Sequence, residues 1–262
     1  MSDWKENIFF TLVEPREPGN IGASARAIKN MGFHRLCLVN PPSFMTDEAR
    51  WLARNARDVL ESSACYRNVT EAVADTHFVV GTSRRRGRRR GVFLPVEEGV
   101  CRIRELAQTR RVALLFGRED RGLYNEEIDE CAFLMTIPAS GKQPSLNLAQ
   151  AVIIIAYELS KAGLKAPRAT RSSTGDPMLS ASPPKMARQE DLGTLYERLE
   201  QALCLIDYIP YNNDVLKKII MQNLKHCLGR AGLTEWEYNM FHGICKAIER
   251  KAGKWGIEKV RK

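Results

Sequence analysis

The sequence predicts an α/β protein built on a largely parallel sheet, followed by a small helical module. Three observations carry that prediction. Short apolar runs alternate with helical patterns from the start to about residue 162, the composition then turns to Pro, Ser, Thr, Ala and Arg, and helical periodicity returns beyond it. The runs Asn7 to Val13, Arg35 to Val39, His77 to Gly81, Val112 to Phe116 and Phe133 to Ile137 read as strands. They are compact and apolar, not alternating, as expected for strands covered on both faces. Ligands of such sheets sit beyond the carboxyl ends of the strands, so the segments after these runs are where chemistry is sought.

From Gly163 to Glu190 hydrophobic periodicity disappears, and Ser182-Pro183-Pro184-Lys185 marks a linker. The expected division is a domain over 1–162, a linker over 163–190 and a helical extension over 191–262. In the extension, Val215, Leu216, Ile219, Ile220, Leu224, Cys227 and Leu228 recur at helical spacing. Thr234 and Glu237 form a capping box that opens a further helix, with Met240, Ile244 and Ile248 on one stripe.

At 262 residues, with 44% hydrophobic and 27% charged residues, the chain is long enough for a sizeable core and ordinary in composition. No apolar run approaches the roughly 20 residues of a membrane span, and Met1 to Lys5 lacks a signal-peptide pattern, so a cytoplasmic protein without a membrane partner is expected. The seven cysteines form no C-x-x-C pair and are read as buried free thiols; the four histidines show no ligand spacing, so no metal is expected. A net charge of +9 and a pI near 9.3 point to a polyanionic partner. Nucleic acid leads, although charge alone leaves an acidic membrane surface open.

Three segments after strands hold the polar residues of interest. Pro18 to Phe33 places Asn20 at or before a helix start, with Gly22, Arg26 and Asn30 on one face, where the glycine allows close approach to Arg26. The plain alternative is an amphipathic helix with a snorkelling arginine. Leu114 to Leu123 runs from a strand into Gly117-Arg118-Glu119-Asp120-Arg121-Gly122, either a solvated loop or a place where Gly117 admits a ligand and Glu119 orients an arginine or hydroxyl. Thr136 to Gln150 joins a strand to a helix whose natural N-cap is Ser145. That helix, Ser145 to Ser160, is apolar nearly all round and needs a second partner besides its sheet. No G-x-x-x-x-G-K-[ST] and no G-x-G-x-x-G pattern is present, which argues against P-loop and nicotinamide enzymes.

In order, spacing and position, the three segments resemble the motifs of the SPOUT superfamily of RNA methyltransferases, in its TrmH-like branch, over most of residues 5 to 162. Gly81-Thr82-Ser83 is similar to a further element of those enzymes. Pro138 followed by Ser145-Leu146-Asn147-Leu148-Ala149, and the extension containing Gly229 to Glu235, most resemble the bacterial tRNA 2′-O-methyltransferases of the TrmJ type.

The resemblance implies a SPOUT-type mostly parallel sheet with a C-terminal trefoil knot, and S-adenosyl-L-methionine as cofactor. It implies cofactor contacts from Thr82, Ser83, Arg84, Gly117, Ile137, Ser145 and Leu146, with Arg26, Asn20, Glu119 and Asn147 facing the reaction. It further implies a homodimer, and 2′-O-ribose methylation of tRNA, at nucleotide 32 of the anticodon loop. The cationic run of Arg85, Arg86, Arg88, Arg89 and Arg90 is then an RNA phosphate contact instead of a plain solvated segment. Methylation of rRNA or of another tRNA nucleotide is the alternative, and a non-catalytic RNA-binding protein of the same fold is another.

Overall fold

A computed structural model describes residues 3–84, 92–140, 145–164, 185–210 and 212–254. A seven-stranded sheet forms the first part: β1 (Ile8–Val13), β2 (Arg35–Val39), β3 (Ala64–Tyr66), β4 (Phe78–Thr82), β5 (Phe93–Pro95), β6 (Val112–Phe116) and β7 (Phe133–Thr136). Their spatial order is β3-β2-β1-β6-β4-β7-β5, and every pairing is parallel. All five expected strands are present within a residue or so of their ends. The two strands not anticipated, β3 and β5, are three-residue pieces at the two sheet edges.

The apolar runs read as they do because both faces of the sheet are covered. Along β6, Val112, Leu114 and Phe116 enter one core, while Ala113 and Leu115 enter the other. Successive side chains of a strand point to opposite faces, so a doubly covered strand has no polar positions to spare. The first core is closed by α1 (Pro18–Asn30), α2 (Asp47–Ala53), α3 (Arg57–Glu61), α5 (Val96–Ala107) and α7 (Leu148–Leu164). The second is closed by α4 (Val69–Val73) and α6 (Asn125–Asp129). Phe10 anchors the first core, its ring edge-on to Phe33 at 5.3 Å and stacked on Phe116 at 6.1 Å.

Three helices follow: α8 (Gln189–Leu205), α9 (Asp214–Ala231) and α10 (Glu235–Lys254). They share a separate core of Leu192, Leu195, Tyr196, Met221, Leu228 and Cys245. The capping box is formed, with the Glu237 amide donating to the Thr234 hydroxyl at 3.2 Å and the Thr234 amide to the Glu237 carboxylate at 2.8 Å. The expected stripes are only half buried: Ile248 packs inward, but Met240 and Ile244 on α10, and Val215, Ile219 and Cys227 on α9, are exposed. Most of the 163–190 linker lies outside the described residues, yet its end is structured. Met186 bridges to Thr234, and the Gln189 amide donates to the Thr76 carbonyl at 2.9 Å. Cys37, Cys131 and Cys245 are buried, but Cys65, Cys101 and Cys227 are exposed, so the expectation of buried thiols throughout fails for these three. Among the described residues no helix is long and apolar enough to cross a membrane.

Candidate active site

The carboxyl ends of β4, β6 and β7 lie side by side and open into a cleft together with the start of α7. Thr82, Ser83, Arg84, Gly117, Ile137, Ser145 and Leu146 all line it, joined by Glu119, Met135 and Leu148. All seven cofactor candidates therefore converge on one cavity. Some of their polar atoms are committed to the fold. The Thr82 hydroxyl donates to the Leu115 carbonyl at 3.0 Å, which leaves it only lone pairs for a bound molecule. The Ser83 amide donates to the Met135 carbonyl at 3.0 Å and holds β4 to β7 at the cleft floor.

Three of the four reaction candidates form one chain of hydrogen bonds. Asn147 Nδ2 donates to Asn20 Oδ1 at 2.9 Å, and Asn20 Nδ2 donates to Glu119 Oε1 at 2.9 Å. The Arg16 amide completes the Glu119 carboxylate at 3.1 Å. Asn20 neither caps nor precedes α1, as the sequence suggested. Pro18 occupies the first turn, and Asn20 lies within it, free to turn its amide toward Glu119.

Ser145 does not cap α7. That helix begins at Leu148, and Asn147 Oδ1 accepts from the Ala149 amide at 2.9 Å while Gln150 reaches back to the Asn147 amide at 3.2 Å. Asn147 thus both starts the helix and ends the polar chain. Arg26 stands apart from the other three: it is exposed on α1 and has no hydrogen bond or ion pair among the described residues. Arg85, Arg86, Arg88, Arg89 and Arg90 lie outside the described residues.

Both glycines make room for backbone. A Cβ on Gly22 would fall on the Ala49 carbonyl, so its lack of a side chain admits α2 and not a ligand. A Cβ on Gly117 would meet the backbone of Gly122 and Leu123, because the 117–123 loop folds back on itself. Gly117→Ala is therefore expected to cost about 2 kcal/mol by overpacking. A urea midpoint unchanged from wild type would show that the loop accommodates the methyl.

Sequence reasoning missed the group that holds this loop. Arg118, one of four consecutive charges to which the sequence assigned no inward role, is 5% exposed. Its guanidinium is bidentate on Glu127 at 2.8 and 3.0 Å, donates from Nε to Glu14 at 2.8 Å and lies 3.9 Å over the Tyr124 ring. Burial opposes the charge, but the bonds to Glu127 and Glu14 outweigh it and raise its affinity for the proton. The hydrogen bond from Arg118 likewise holds the Glu14 carboxyl below its ordinary value. Glu14 has φ +45°, a left-handed conformation unusual outside glycine. With Arg16 paired to Asp120 at 2.8 Å, the loops after β1 and β6 are stapled together directly under the Asn20–Glu119 bond. The sequence carries no signal of its burial, since Gly117 separates Arg118 from the apolar strand and three further charges follow it.

The SpoU rRNA Methylase family matches residues 7–157, and the C-terminal domain of the tRNA methyltransferase TrmJ matches residues 190–255. The tRNA (cytidine/uridine-2′-O-)-methyltransferase TrmJ of Sodalis glossinidius is 39% identical over 93% of this chain and 91% of its own length. The tRNA (cytidine/uridine/adenosine-2′-O-)-methyltransferase TrmJ of Pseudomonas aeruginosa is 34% identical over 94% of this chain and 95% of its own. The crystal structure of TrmJ from Z. mobilis ZM4 superposes with a TM-score of 0.73 at 30% identity, covering 92% of this chain and 98% of that one. Matched across its whole sheet domain and separately across its three terminal helices, the chain belongs to the SpoU methylase family, in the form that carries a TrmJ C-terminal domain.

Proposed function

We propose that this protein is an S-adenosylmethionine-dependent tRNA 2′-O-methyltransferase acting on a ribose of the anticodon loop at nucleotide 32. The carrying observation is the cleft at the ends of β4, β6 and β7, which gathers all seven cofactor candidates and ends on the Asn147–Asn20–Glu119 chain. Relatives named as tRNA 2′-O-methyltransferases over nearly the full chain support the substrate.

The cleft fits the cofactor in chemistry. Apolar Met135, Ile137, Leu146 and Leu148 suit a nucleoside ring, while Thr82 and Ser145 offer oxygen atoms for its polar groups. When bound, S-adenosylmethionine supplies an electrophilic methyl group. The protein's own part is to align the ribose hydroxyl with that group and to lower the cost of losing the hydroxyl proton. Arginine, with a pKa above about 12, is a poor base. Arg26 instead binds the adjoining phosphate and stabilises the developing alkoxide through its fork of donors. Asn20, Glu119 and Asn147 act as positioning residues, since each spends its side chain on the others. Arg85, Arg86, Arg88, Arg89 and Arg90 supply phosphate contacts that fix the RNA without reading its sequence.

Residues 1–162 form the catalytic unit and 191–262 the helical extension, a reading supported by their separate cores. A C-terminal trefoil knot in the catalytic unit is supported by the family and by the insertion of β6 and β7 between earlier strands. Two subunits pair through α7, where Tyr157 is exposed and Ile154 half-buried on the side away from the sheet. Light scattering at micromolar concentration is expected to give a dimer, and a monomer would remove this part of the reading. The protein acts in the cytoplasm, where its substrate is. Transfer of labelled methyl to unmodified bulk tRNA in preference to rRNA tests the function. Equal or exclusive labelling of rRNA would favour the rRNA alternative.

A further inference from the structure

We propose that Trp51 and Arg54, on the segment packed against the helix that carries Arg26, form a platform on which an unpaired nucleobase of the RNA substrate stacks. The inference rests on the tRNA reading above but concerns a part of the surface that the cleft does not include. Helix α2 opens at Thr46, whose hydroxyl accepts from the Ala49 amide at 3.2 Å, with Asp47 and Glu48 in its first turn. It buries Ala49 and Ala53, and the Ala49 carbonyl sits against Gly22 of α1. A few residues later the same segment reaches Lys29 of α1, whose Nζ donates to the Asn55 carbonyl at 2.8 Å and to the Asp58 carboxylate at 2.7 Å.

Gly22, Arg26 and Lys29 lie on one stripe of α1 at i, i+4 and i+7. The stretch from Ala49 to Asp58 is thus tied to α1 on both sides of Arg26 and runs past it. Trp51 and Arg54 lie in that stretch with their side chains outward.

Trp51 is 63% exposed, and the Arg54 guanidinium lies over its ring at 5.6 Å from the centroid. Arg54 and Arg57 have no carboxylate partner among the described residues, whereas the neighbouring charges Arg50 and Lys29 are paired with Asp47 and Asp58. Arg54 also holds φ +44°, which costs a non-glycine residue energy and turns the chain at the end of α2. An exposed indole with one guanidinium over its ring and a second arginine without a carboxylate partner three residues on suits a base followed by phosphates, since the ring accepts any base face and the arginines take the backbone. An apolar protein partner would leave both cations facing a surface that cannot satisfy them.

The test compares full-length wild-type protein with Trp51→Ala, Trp51→Phe and Arg54→Ala in steady-state methyl transfer to unmodified tRNA. Trp51→Ala is expected to raise the KM for tRNA about tenfold, the loss of one stacked base, with kcat at saturating tRNA and the KM for S-adenosylmethionine unchanged. Trp51→Phe keeps a stacking face and restores most of the affinity. Arg54→Ala reduces the slope of log affinity against log salt by about 0.7, the value for one phosphate contact on a single strand. An unchanged KM in Trp51→Ala would overturn the platform. So would loss of the dimer in sedimentation, which would make Trp51 a subunit contact. Should wild type transfer no methyl to tRNA, the function reading fails first. The platform is then judged alone by quenching of tryptophan emission with a single-stranded oligoribonucleotide: quenching that Trp51→Phe abolishes supports it, and quenching equal in both proteins rejects it.

Discussion

Replacing Arg26 with lysine is expected to lower kcat for methyl transfer to tRNA by about 100-fold or more, the scale of removing one preorganised donor from a developing oxyanion. The fold should not notice. Arg26 is exposed and bonds to nothing among the described residues, so its removal leaves no partner unsatisfied. Lysine keeps the charge and loses the planar fork, so the variant separates bidentate positioning from simple attraction to phosphate. Binding of S-adenosylmethionine, measured by calorimetry, should match wild type because Arg26 does not line the cleft. A lysine variant with near-wild-type turnover would reduce Arg26 to a surface cation.

Arg118→Ala is expected to act on stability instead. Glu127, whose side chain is 12% exposed, would be left buried without its bidentate partner. Breaking a buried pair by removing one member costs about 3–5 kcal/mol, which at roughly 2–4 °C per kcal/mol for a chain of this size lowers Tm by on the order of ten degrees. Because Arg118 also fixes the 117–123 loop, cofactor affinity should fall with it. Removing both charges together, as Arg118→Met with Glu127→Leu, should recover part of the stability but not the loop geometry. The hydrogen bond from Arg118 to Glu14 also sets an acid response. Glu14 is held below its ordinary value, so its contribution is full above that value and is lost as pH falls through the lowered one. An Arg118→Ala melting temperature within a degree or two of wild type would show that the buried guanidinium is not what holds the loop.

The sequence disclosed what is local and withheld what depends on burial at a distance. The five longer strands were legible because a doubly covered strand has to be apolar throughout, whereas β3 and β5 are too short for any period to show. The grouping of Thr82, Gly117 and Ser145 was implied by the family resemblance, which their places after strands supported. The central position of β6 between β1 and β4 did not, since strand order is a property of the fold as a whole. The start of α7 was misplaced for a different reason. Ser145 and Asn147 are both good caps, and the deciding residue was Gln150, which completes a capping box only with Asn147. Arg118 and Glu14 were opaque because an arginine in a run of four charges gives no sign that it points inward. The half-exposed stripes of α9 and α10 show the converse, apolar spacing without a partner to bury it.

The most direct test is to locate the methyl group itself, by mass spectrometry of nuclease fragments from tRNA treated with the protein and labelled S-adenosylmethionine. The account predicts a single 2′-O-methyl ribose in the anticodon loop, at nucleotide 32. Label on a base nitrogen or carbon, or no label in tRNA while rRNA is modified, would contradict it.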